Sequence, residues 1–288
     1  MDSINGNTAK PYVEYKDFPA HAGEVVQMKG IIHRIREMTG FAFVIIRTAR
    51  GTVQCVYSPD FSEYRMGEEV VEGCSVKLTG KIVKDETRED RYEMQIHGIE
   101  VLSSPAEQMP IVINKKQLDN IPIDLNLNLR PVTLRNPKER AVFKIQEGIA
   151  RGFREFLFSQ NFTEIRTPKI CAQGAEGGAN IFKLDYFGKQ VFLAQSPQFY
   201  KQMLVPVYER VFEIGPVFRA EHHDTSRHLN EYISMDFEMG FIDSFYDIMN
   251  METGALKYIM ELLQREYAEE IALLNAQLPA IGEIPVVK

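Results

Sequence analysis

Residues 24–103 form a run of short apolar segments, rich in β-branched side chains, that are separated by turn residues such as Arg50-Gly51. Segments of this length and composition are typical of β-strands, and about five strands fit the run. They lie at 25–31, 41–46, 53–56, 76–82 and 92–101. A five-stranded OB-fold barrel is the simplest fold that accommodates them. The pattern therefore predicts an OB-fold domain over residues 1–103, with the polar insert 84–91 as an exposed hairpin loop.

The predicted barrel is followed by a segment of little periodicity, residues 104–135. It carries several prolines, namely Pro105, Pro110 and Pro122. Because proline interrupts both helices and sheet ladders, this segment is predicted to be a linker or hinge.

A helix with clear start signals opens the second half of the chain. Asn136 can cap it, Pro137 suits its first position, and Glu139 can serve as a capping-box acid. Apolar residues at helical spacing continue to about residue 161. Strands are predicted at 163–170, 181–185, 191–194, 211–218 and 232–241, and a last helix at 244–274. Helices that flank many strands indicate an α+β domain over 136–288 with a mainly antiparallel sheet.

Composition limits the possible partners. The net charge is −7, so any nucleic-acid binding must depend on local contacts and not on a broad basic surface. The chain shows no secretory signal pattern and no apolar run of membrane-span length, which predicts a cytoplasmic protein without a membrane partner. Its cysteines form no CxxC pair, which argues against a zinc site or a disulfide framework. They are predicted to be small buried hydrophobes: Cys55, Cys74 and Cys171.

The most informative segment for chemistry is 218–232, a charged loop between two apolar strands. Arg219 lies at the end of the first strand, where a guanidinium can direct several donors at phosphate oxygens. Tyr232 begins the second strand and can offer a ring to a base. Charge alone is equally consistent with a solvated surface hairpin. The adjacent pair His222-His223 lacks a second ligand set, so no metal site is predicted within this chain.

The loop sequence FRAEHHDTSRH (218–228) resembles motif 2 of class II aminoacyl-tRNA synthetases. TEIRTPKI (163–170) resembles motif 1, in which Pro168 corresponds to the proline at the family's dimer interface. GAEGG (174–178) and LAQSPQFYKQ (193–202) resemble the aspartate-binding loops of aspartyl-tRNA synthetases of archaeal and eukaryotic type. The resemblance spans nearly the whole chain, including the OB domain, and the four motifs occur in the family's order.

The resemblance implies a two-step reaction. ATP and L-aspartate would form aspartyl-adenylate, and the 3′-terminal ribose of tRNA would then accept the aspartyl group. The catalytic residue implied is Arg219, on the α-phosphate. The ATP-binding residues implied are Arg219, Glu221, Arg227, His228, Glu231 and Tyr232. The aspartate-binding residues implied are Glu176, Ser196, Gln198, Lys201 and Asp236.

An asparaginyl-tRNA synthetase is the nearest alternative, and a non-catalytic tRNA-binding fragment is another. Two features favour aspartate. The loop reads Glu176-Gly177-Gly178, where asparaginyl enzymes usually carry a Cys-Glu-Gly-Ala type of loop, and position 236 is Asp where they more often have Glu. A pocket that contains Lys201 also suits a charged ligand better than a neutral amide.

The resemblance assigns anticodon recognition to the barrel. Phe43 corresponds to an aromatic residue that stacks on an anticodon base, and Arg36 and Gln54 correspond to polar contacts; the residue pattern alone leaves Phe43 equally consistent with a core position. His33 stands where relatives that accept only tRNA-Asp tend to have tryptophan. We therefore expect an enzyme that charges both tRNA-Asp and tRNA-Asn.

The family's third motif, with its ATP-binding arginine and its acidic Mg²⁺ ligands, has no counterpart in these residues. We accordingly expect an incomplete catalytic domain, with the Mg²⁺ ligands downstream of residue 288. This chain alone is not expected to form the adenylate at a normal rate. A homodimer is expected from the motif 1 resemblance.

Overall fold

The computed structural model describes residues 12–85, 91–107, 109–114, 121–174, 180–223, 225 and 228–282. The chain divides into two compact units, Met1–Pro137 and Lys138–Lys288. Among the described helices, none combines the length and the apolar character that crossing a membrane requires.

The first unit contains a closed barrel of five described strands in the order β1-β2-β3-β5-β4. The strands are β1 (Val25–Met38), β2 (Phe41–Thr48), β3 (Gly51–Tyr57), β4 (Ser75–Lys84) and β5 (Tyr92–Ser103). Neighbours pair antiparallel except β3 and β5, whose short parallel pairing at Cys55↔Met94 and Val56↔Gln95 closes the barrel. The predicted five-stranded OB-fold is confirmed. Of the predicted hairpin loop 84–91, residues 86–90 lie outside the described residues.

The barrel core is built mainly by alternation of inward and outward residues along the strands. In β2, Ala42, Val44 and Ile46 point inward, and a 3-10 helix at Tyr15–His21 adds the fully buried Phe18. Cys55 and Cys74 are buried here as small hydrophobes, as predicted, and burial raises the pKa of the Cys55 thiol well above its usual range. Cys171, in the second unit, is only half-buried.

The segment 104–135, predicted to be a linker, contains two short helices that the sequence pattern did not indicate. They are α1 (Ile123–Asn128) and α2 (Arg130–Thr133), and the segment belongs to the first unit. Side chain-to-backbone hydrogen bonds hold it: Arg47 Nη1 donates to Arg135 O at 3.0 Å, and Asn136 Nδ2 donates to Ile113 O at 3.0 Å. The segment's low periodicity reflects short helices, too brief to show a helical repeat.

The second unit has its own helices and sheets. In chain order they are α3 (Pro137–Ser159), β6 (Thr163–Glu164), β7 (Ile170–Cys171), β8 (Lys183–Tyr186), β9 (Lys189–Leu193), α4 (Gln198–Tyr208), β10 (Arg210–Phe218), β11 (Glu231–Met239), α5 (Phe245–Glu266) and α6 (Ala268–Leu274). One sheet has the order β11-β10-β6 and the other β7-β9-β8. Since β6 pairs parallel to β10, the first sheet is mixed rather than antiparallel throughout.

Two predicted elements of this unit are corrected. The strand predicted at 163–170 is divided into β6 and β7, which belong to different sheets. Pro168 lies between them and cannot donate to a sheet ladder, which explains the break. The last helix begins with the predicted capping box of Ser244 and Asp247, but it is interrupted at Tyr267, where φ is −125°.

Helices α3 and α5 pack closely because glycines stand at their contact. A Cβ on Gly148 would lie 2.6 Å from Leu263 Cδ2, and a Cβ on Gly152 would lie 3.1 Å from Ile259 Cγ1. Leu157 and Phe212 are fully buried in the same cluster, so α3 and α5 share a core with β10. This core supports the strand from which the candidate site extends.

Glycines of the barrel provide a test of its packing. A Cβ on Gly80 would meet the backbone carbonyl of Gln95 and would lie 2.6 Å from Met94 Cγ, whereas a Cβ on Gly98 would meet nothing within 4 Å. We expect Gly80→Ala to lower the free energy of unfolding of the barrel by about 1–3 kcal/mol, because backbone cannot move aside. Gly98→Ala, the matched control on the facing strand, should change it by less than about 0.5 kcal/mol. Hydrogen exchange of β4 and β5 peptides in urea measures both, and equal stability of the two variants would contradict the packing described.

Candidate active site

Strands β10 and β11 pair over their whole length, from Arg210↔Met239 to Phe218↔Glu231. The loop between them begins at Arg219, whose backbone N donates to Asn230 O at 2.9 Å. With its amide turned to satisfy both of its polar atoms, Asn230 Nδ2 also donates to the carbonyl oxygens of Arg219 (3.2 Å) and Glu221 (3.1 Å). The base of the loop is therefore fixed, and the half-buried Arg219 is positioned at the end of the strand pair.

The loop gathers three side chains that can ligate a metal: Glu221, His223 and His228. Their candidate ligand atoms lie within 4.8 Å of one another. His228 Nε2 is 3.9 Å from Glu221 Oε2, and His228 Nδ1 is 2.6 Å from Thr225 Oγ1. In the sequence, His223 was considered together with its neighbour His222. In the structure, it clusters instead with Glu221 and His228. Arg227, predicted to bind ATP, lies outside the described residues.

One face of β11 carries the polar residues of the site. Alternation places Tyr232, Ser234, Asp236 and Glu238 on this face, whereas Glu231 begins the strand on the other face and is exposed. Tyr232 and Glu231, both predicted to contact adenine, therefore point to opposite sides of the strand. The hydroxyl of Ser234 donates to Asp236 Oδ2. The resulting row of acceptors extends away from Arg219 along the strand.

Lys201, on α4, lies over this row and is only 5% exposed. Its Nζ is 3.3 Å from Asp236 Oδ1 and 3.3 Å from Glu238 Oε2. Lys201 and Asp236, both predicted to bind aspartate, thus form an ion pair in the structure. Glu238 was not predicted, although the two-residue period of a strand indicates that it shares the face of Asp236. The two carboxylates thus hold the ammonium group of Lys201 in place.

The segment before α4 supplies the other predicted aspartate-binding residues. Ser196 Oγ accepts from Gln198 N at 3.3 Å, and both side chains are half-buried. Ala194 O accepts from Phe218 N at 2.9 Å, which brings this segment beside the end of β10 and hence beside Arg219. The helix itself was not predicted, because its residues had been assigned only to a binding loop. Glu176 lies outside the described residues.

The outer face of the barrel holds three of the four residues predicted to bind the anticodon, namely Arg36, Phe43 and Gln54; the fourth is His33. Phe43 is half-buried on this face and packs edge-to-face on Phe41, with ring centroids 5.2 Å apart. The exposed Arg36 lies opposite Phe43 on β1, and Gln54 donates to Glu93 Oε2 at 3.2 Å. Phe43 is therefore not a core residue of the barrel, because its neighbours Ala42 and Val44 occupy the inward positions of β2. The contacts that Phe41 and Glu93 make with these residues were not predicted from the sequence.

His33 occupies a different environment from these residues. The pairing of β1 with β2 shifts register between Ile32 and Arg34, so His33 is the extra residue of a β-bulge. It is 7% exposed, and its side chain is therefore largely enclosed in the barrel. The structure does not bring His33 onto the open face of Phe43.

Residues 122–284 match the family model described as tRNA synthetases class II (D, K and N), and residues 26–102 match the OB-fold nucleic acid binding domain. The chain belongs to the class II tRNA synthetases. The resemblance of its motifs to this family is therefore confirmed.

The relatives of this class II chain include named ligases. An aspartate--tRNA(Asp/Asn) ligase from Deinococcus radiodurans is 42% identical over 266 residues, covering 92% of this chain and 59% of the relative. An aspartate--tRNA(Asp/Asn) ligase from Thermus thermophilus is 41% identical over 268 residues, covering 93% of this chain and 62% of the relative. The asparaginyl-tRNA synthetase of Pyrococcus horikoshii, solved with asparaginyl-adenylate, has a TM-score of 0.82 at 27% identity, over 94% of this chain and 64% of that one. The chain spans about three-fifths of the length of these curated ligases.

In this class II synthetase chain, the motif 1 segment is tied to β10 by a buried ionic network. Glu213, on β10, is 3% exposed. It accepts from Thr167 N at 2.9 Å, from Thr167 Oγ1 at 2.7 Å and from Lys169 Nζ at 2.8 Å. Pro168, between these two donors, is itself exposed. The network thus fixes the exposed proline relative to the strand that carries Arg219.

Removing the cation of this network should be costly. Lys169→Met leaves the buried Glu213 carboxylate without a counter-charge, so we expect the second unit to lose about 3 kcal/mol of stability. Adding Glu213→Gln to that variant should restore part of the loss. Arg166→Met, which removes a 66% exposed partner of Glu164, should cost less than about 1 kcal/mol. Hydrogen exchange of β10 peptides in urea measures these variants together with the single Glu213→Gln variant, and additive losses in the double variant would contradict a coupled pair.

Proposed function

We propose that the protein is an aspartyl-tRNA synthetase that activates L-aspartate with ATP and transfers it to tRNA-Asp and tRNA-Asn. The observation that carries the proposal is Lys201, a buried ammonium held by Asp236 and Glu238 on the strand face that leads to Arg219. The names of the ligases from Deinococcus radiodurans and Thermus thermophilus support both the amino acid and the pair of tRNAs.

In the first step, the α-carboxylate of aspartate attacks the α-phosphate of ATP and expels pyrophosphate. The nucleophile is already an anion, so no general base is needed, and catalysis depends on positioning and on charge stabilisation at phosphorus. Arg219 is suited to this role because its backbone is fixed to Asn230 while its guanidinium carries a permanent charge. Tyr232, on the face shared with Asp236, can offer its ring to adenine.

Recognition of aspartate would depend on Lys201, with Ser196 and Gln198 as neutral hydrogen-bonding groups. Because two carboxylates hold the ammonium, Lys201 is pre-oriented and loses little side-chain entropy when a third carboxylate binds. Glu176 is proposed to bind the α-ammonium of the substrate.

An asparaginyl-tRNA synthetase remains the second candidate, supported by the TM-score of 0.82 to the Pyrococcus horikoshii enzyme. The Lys201 ammonium can only donate hydrogen bonds, so it suits a carboxylate, whose oxygens only accept, better than an amide, whose NH2 group would meet another donor. The more similar ligases, at 41–42% identity against 27%, also carry aspartate in their names.

The proposed enzyme acts in the cytoplasm as a homodimer, with Pro168 at the interface, and uses Mg²⁺ with ATP. Mg²⁺ would neutralise the triphosphate charge when it is bound. The carboxylate of Glu221 lies among imidazole nitrogens, a donor set that does not suit Mg²⁺. We therefore do not assign this cluster to Mg²⁺.

Pyrophosphate exchange by the complete product of the gene tests the substrate assignment. With aspartate, we expect Lys201→Met to lower kcat/KM by about 100-fold or more, because a charged partner of the substrate is removed from a buried site. The control Lys257→Met removes an exposed lysine of α5 and should leave kcat/KM unchanged. ATP affinity, measured in parallel, separates a lost amino-acid pocket from a lost fold. Equal or better exchange with asparagine would overturn the proposal.

Aspartylation of purified tRNAs tests the barrel and the choice of tRNA. We expect the complete gene product to charge both tRNA-Asp and tRNA-Asn. Phe43→Leu should weaken the binding of both tRNAs by about 1–3 kcal/mol, because leucine is apolar but offers no ring for stacking. Phe43→Tyr keeps the ring and should bind both tRNAs as tightly as the unchanged protein. Absence of tRNA-Asn charging would refute the double specificity. Equal binding by the Leu and Tyr variants would refute stacking at Phe43.

A further inference from the structure

We propose that Glu221, His223 and His228 form a binding site for a divalent transition-metal ion of the Zn²⁺ type. Two imidazoles and one carboxylate are a ligand set that occurs in zinc proteins, where three protein ligands leave a fourth position open. The candidate ligand atoms lie within 4.8 Å of one another. Neither the family match nor the proposed reaction requires a metal at these side chains.

The distances suit an ion after a small adjustment. Ligand atoms around a tetrahedral zinc ion are roughly 3.3 Å apart, given metal–ligand bonds of about 2.0–2.1 Å. His228 Nε2 and Glu221 Oε2 are already 3.9 Å apart, and the largest separation in the cluster is 4.8 Å. Both histidines are exposed, so rotation of their side chains can close the remaining gap without disturbing packed residues.

The hydrogen bond to Thr225 prepares His228 for ligation. Its Nδ1 lies 2.6 Å from Thr225 Oγ1. When Nδ1–H donates to that hydroxyl, the proton is held on Nδ1 and the lone pair is exposed on Nε2. Nε2 is also the nitrogen that faces Glu221. The tautomer in which Nδ1–H donates to Thr225 is the one that leaves Nε2 free to bind zinc beside Glu221.

The remaining features of the loop also favour ligation. The backbone of Glu221 is held by Asn230 at the base of the loop, so this ligand starts from a fixed position. The rings of His223 and His228 are 4.8 Å apart between centroids, so the two imidazoles are close enough to bind one ion. Imidazole donors favour zinc, copper or nickel over magnesium and calcium, which prefer oxygen ligands.

Occupancy would interfere with the nucleotide, and this consequence rests on the proposed function. Glu221 and His228 are the residues proposed to bind ATP, and a metal ion would engage both of them at once. Zinc and ATP should therefore compete, so that free zinc acts as an inhibitor of the adenylation step and ATP in excess relieves it.

Equilibrium dialysis of the 288-residue chain with Zn²⁺ tests the site directly. The adjacent histidines supply a matched pair of variants. His223→Ala should weaken zinc binding by about tenfold or more, whereas His222→Ala, outside the cluster, should change it by less than about twofold. On zinc addition, the ¹⁵N resonance of His228 Nε2 should shift more than that of Nδ1. Excess Mg²⁺ should not displace the ion. Equal losses in both variants, or no zinc binding, would overturn the site.

Competition is measured separately, by ATP binding to the complete gene product with and without Zn²⁺. Weaker ATP binding in zinc, restored by His223→Ala but not by His222→Ala, would support the inhibitory role. Zinc binding without any effect on ATP would retain the site but overturn the inhibitory role and the nucleotide contacts proposed for Glu221 and His228. Failure of the enzyme to use aspartate would not affect the dialysis result.

Discussion

The antiparallel pairing of β10 with β11 is the constraint on which the candidate active site depends. It runs without a register shift from Arg210↔Met239 to Phe218↔Glu231. A slip of one residue would turn the row from Tyr232 to Glu238 to the opposite face of the sheet. The core that β10 shares with α3 and α5 fixes this register, because Phe212 of β10 is fully buried in it. Packing far from the loop therefore sets where Arg219 stands.

The same pairing brings carboxylates close together, and two lysines compensate their charge. Glu213 and Asp236 are directly opposite each other in the register, and like charges in that relation are destabilising. Lys169 pairs with Glu213, and Lys201 pairs with Asp236 and Glu238. Three carboxylates thus share two ammonium groups. The excess negative charge would favour the ammonium group of the proposed amino-acid substrate.

Much of this structure follows from local sequence signals, and the failures have physical causes. The barrel strands, the capping box at Ser244 and the pairing of Lys201 with Asp236 were predictable, because alternation, cap chemistry or motif resemblance marks each of them. The helix α4 was missed because its residues were assigned to a binding loop. The cluster of Glu221, His223 and His228 was missed because loop curvature, which no periodicity reports, brings its members together.

The proposed anticodon face would allow a chain of net charge −7 to bind an RNA through local contacts. Phosphate attraction cannot supply the affinity, since an acidic surface repels a polyanion. The proposed anticodon face offers a ring, Phe43, supported edge-on by Phe41, with the cation Arg36 opposite it. Stacking contributes about 1–3 kcal/mol per base and needs no basic surroundings. Glu93 accepts a hydrogen bond from Gln54 and so holds the amide of that side chain in place. The acidic composition would then add selectivity, because it weakens phosphate-driven binding to any RNA but leaves unchanged the contribution of stacking, which does not depend on charge.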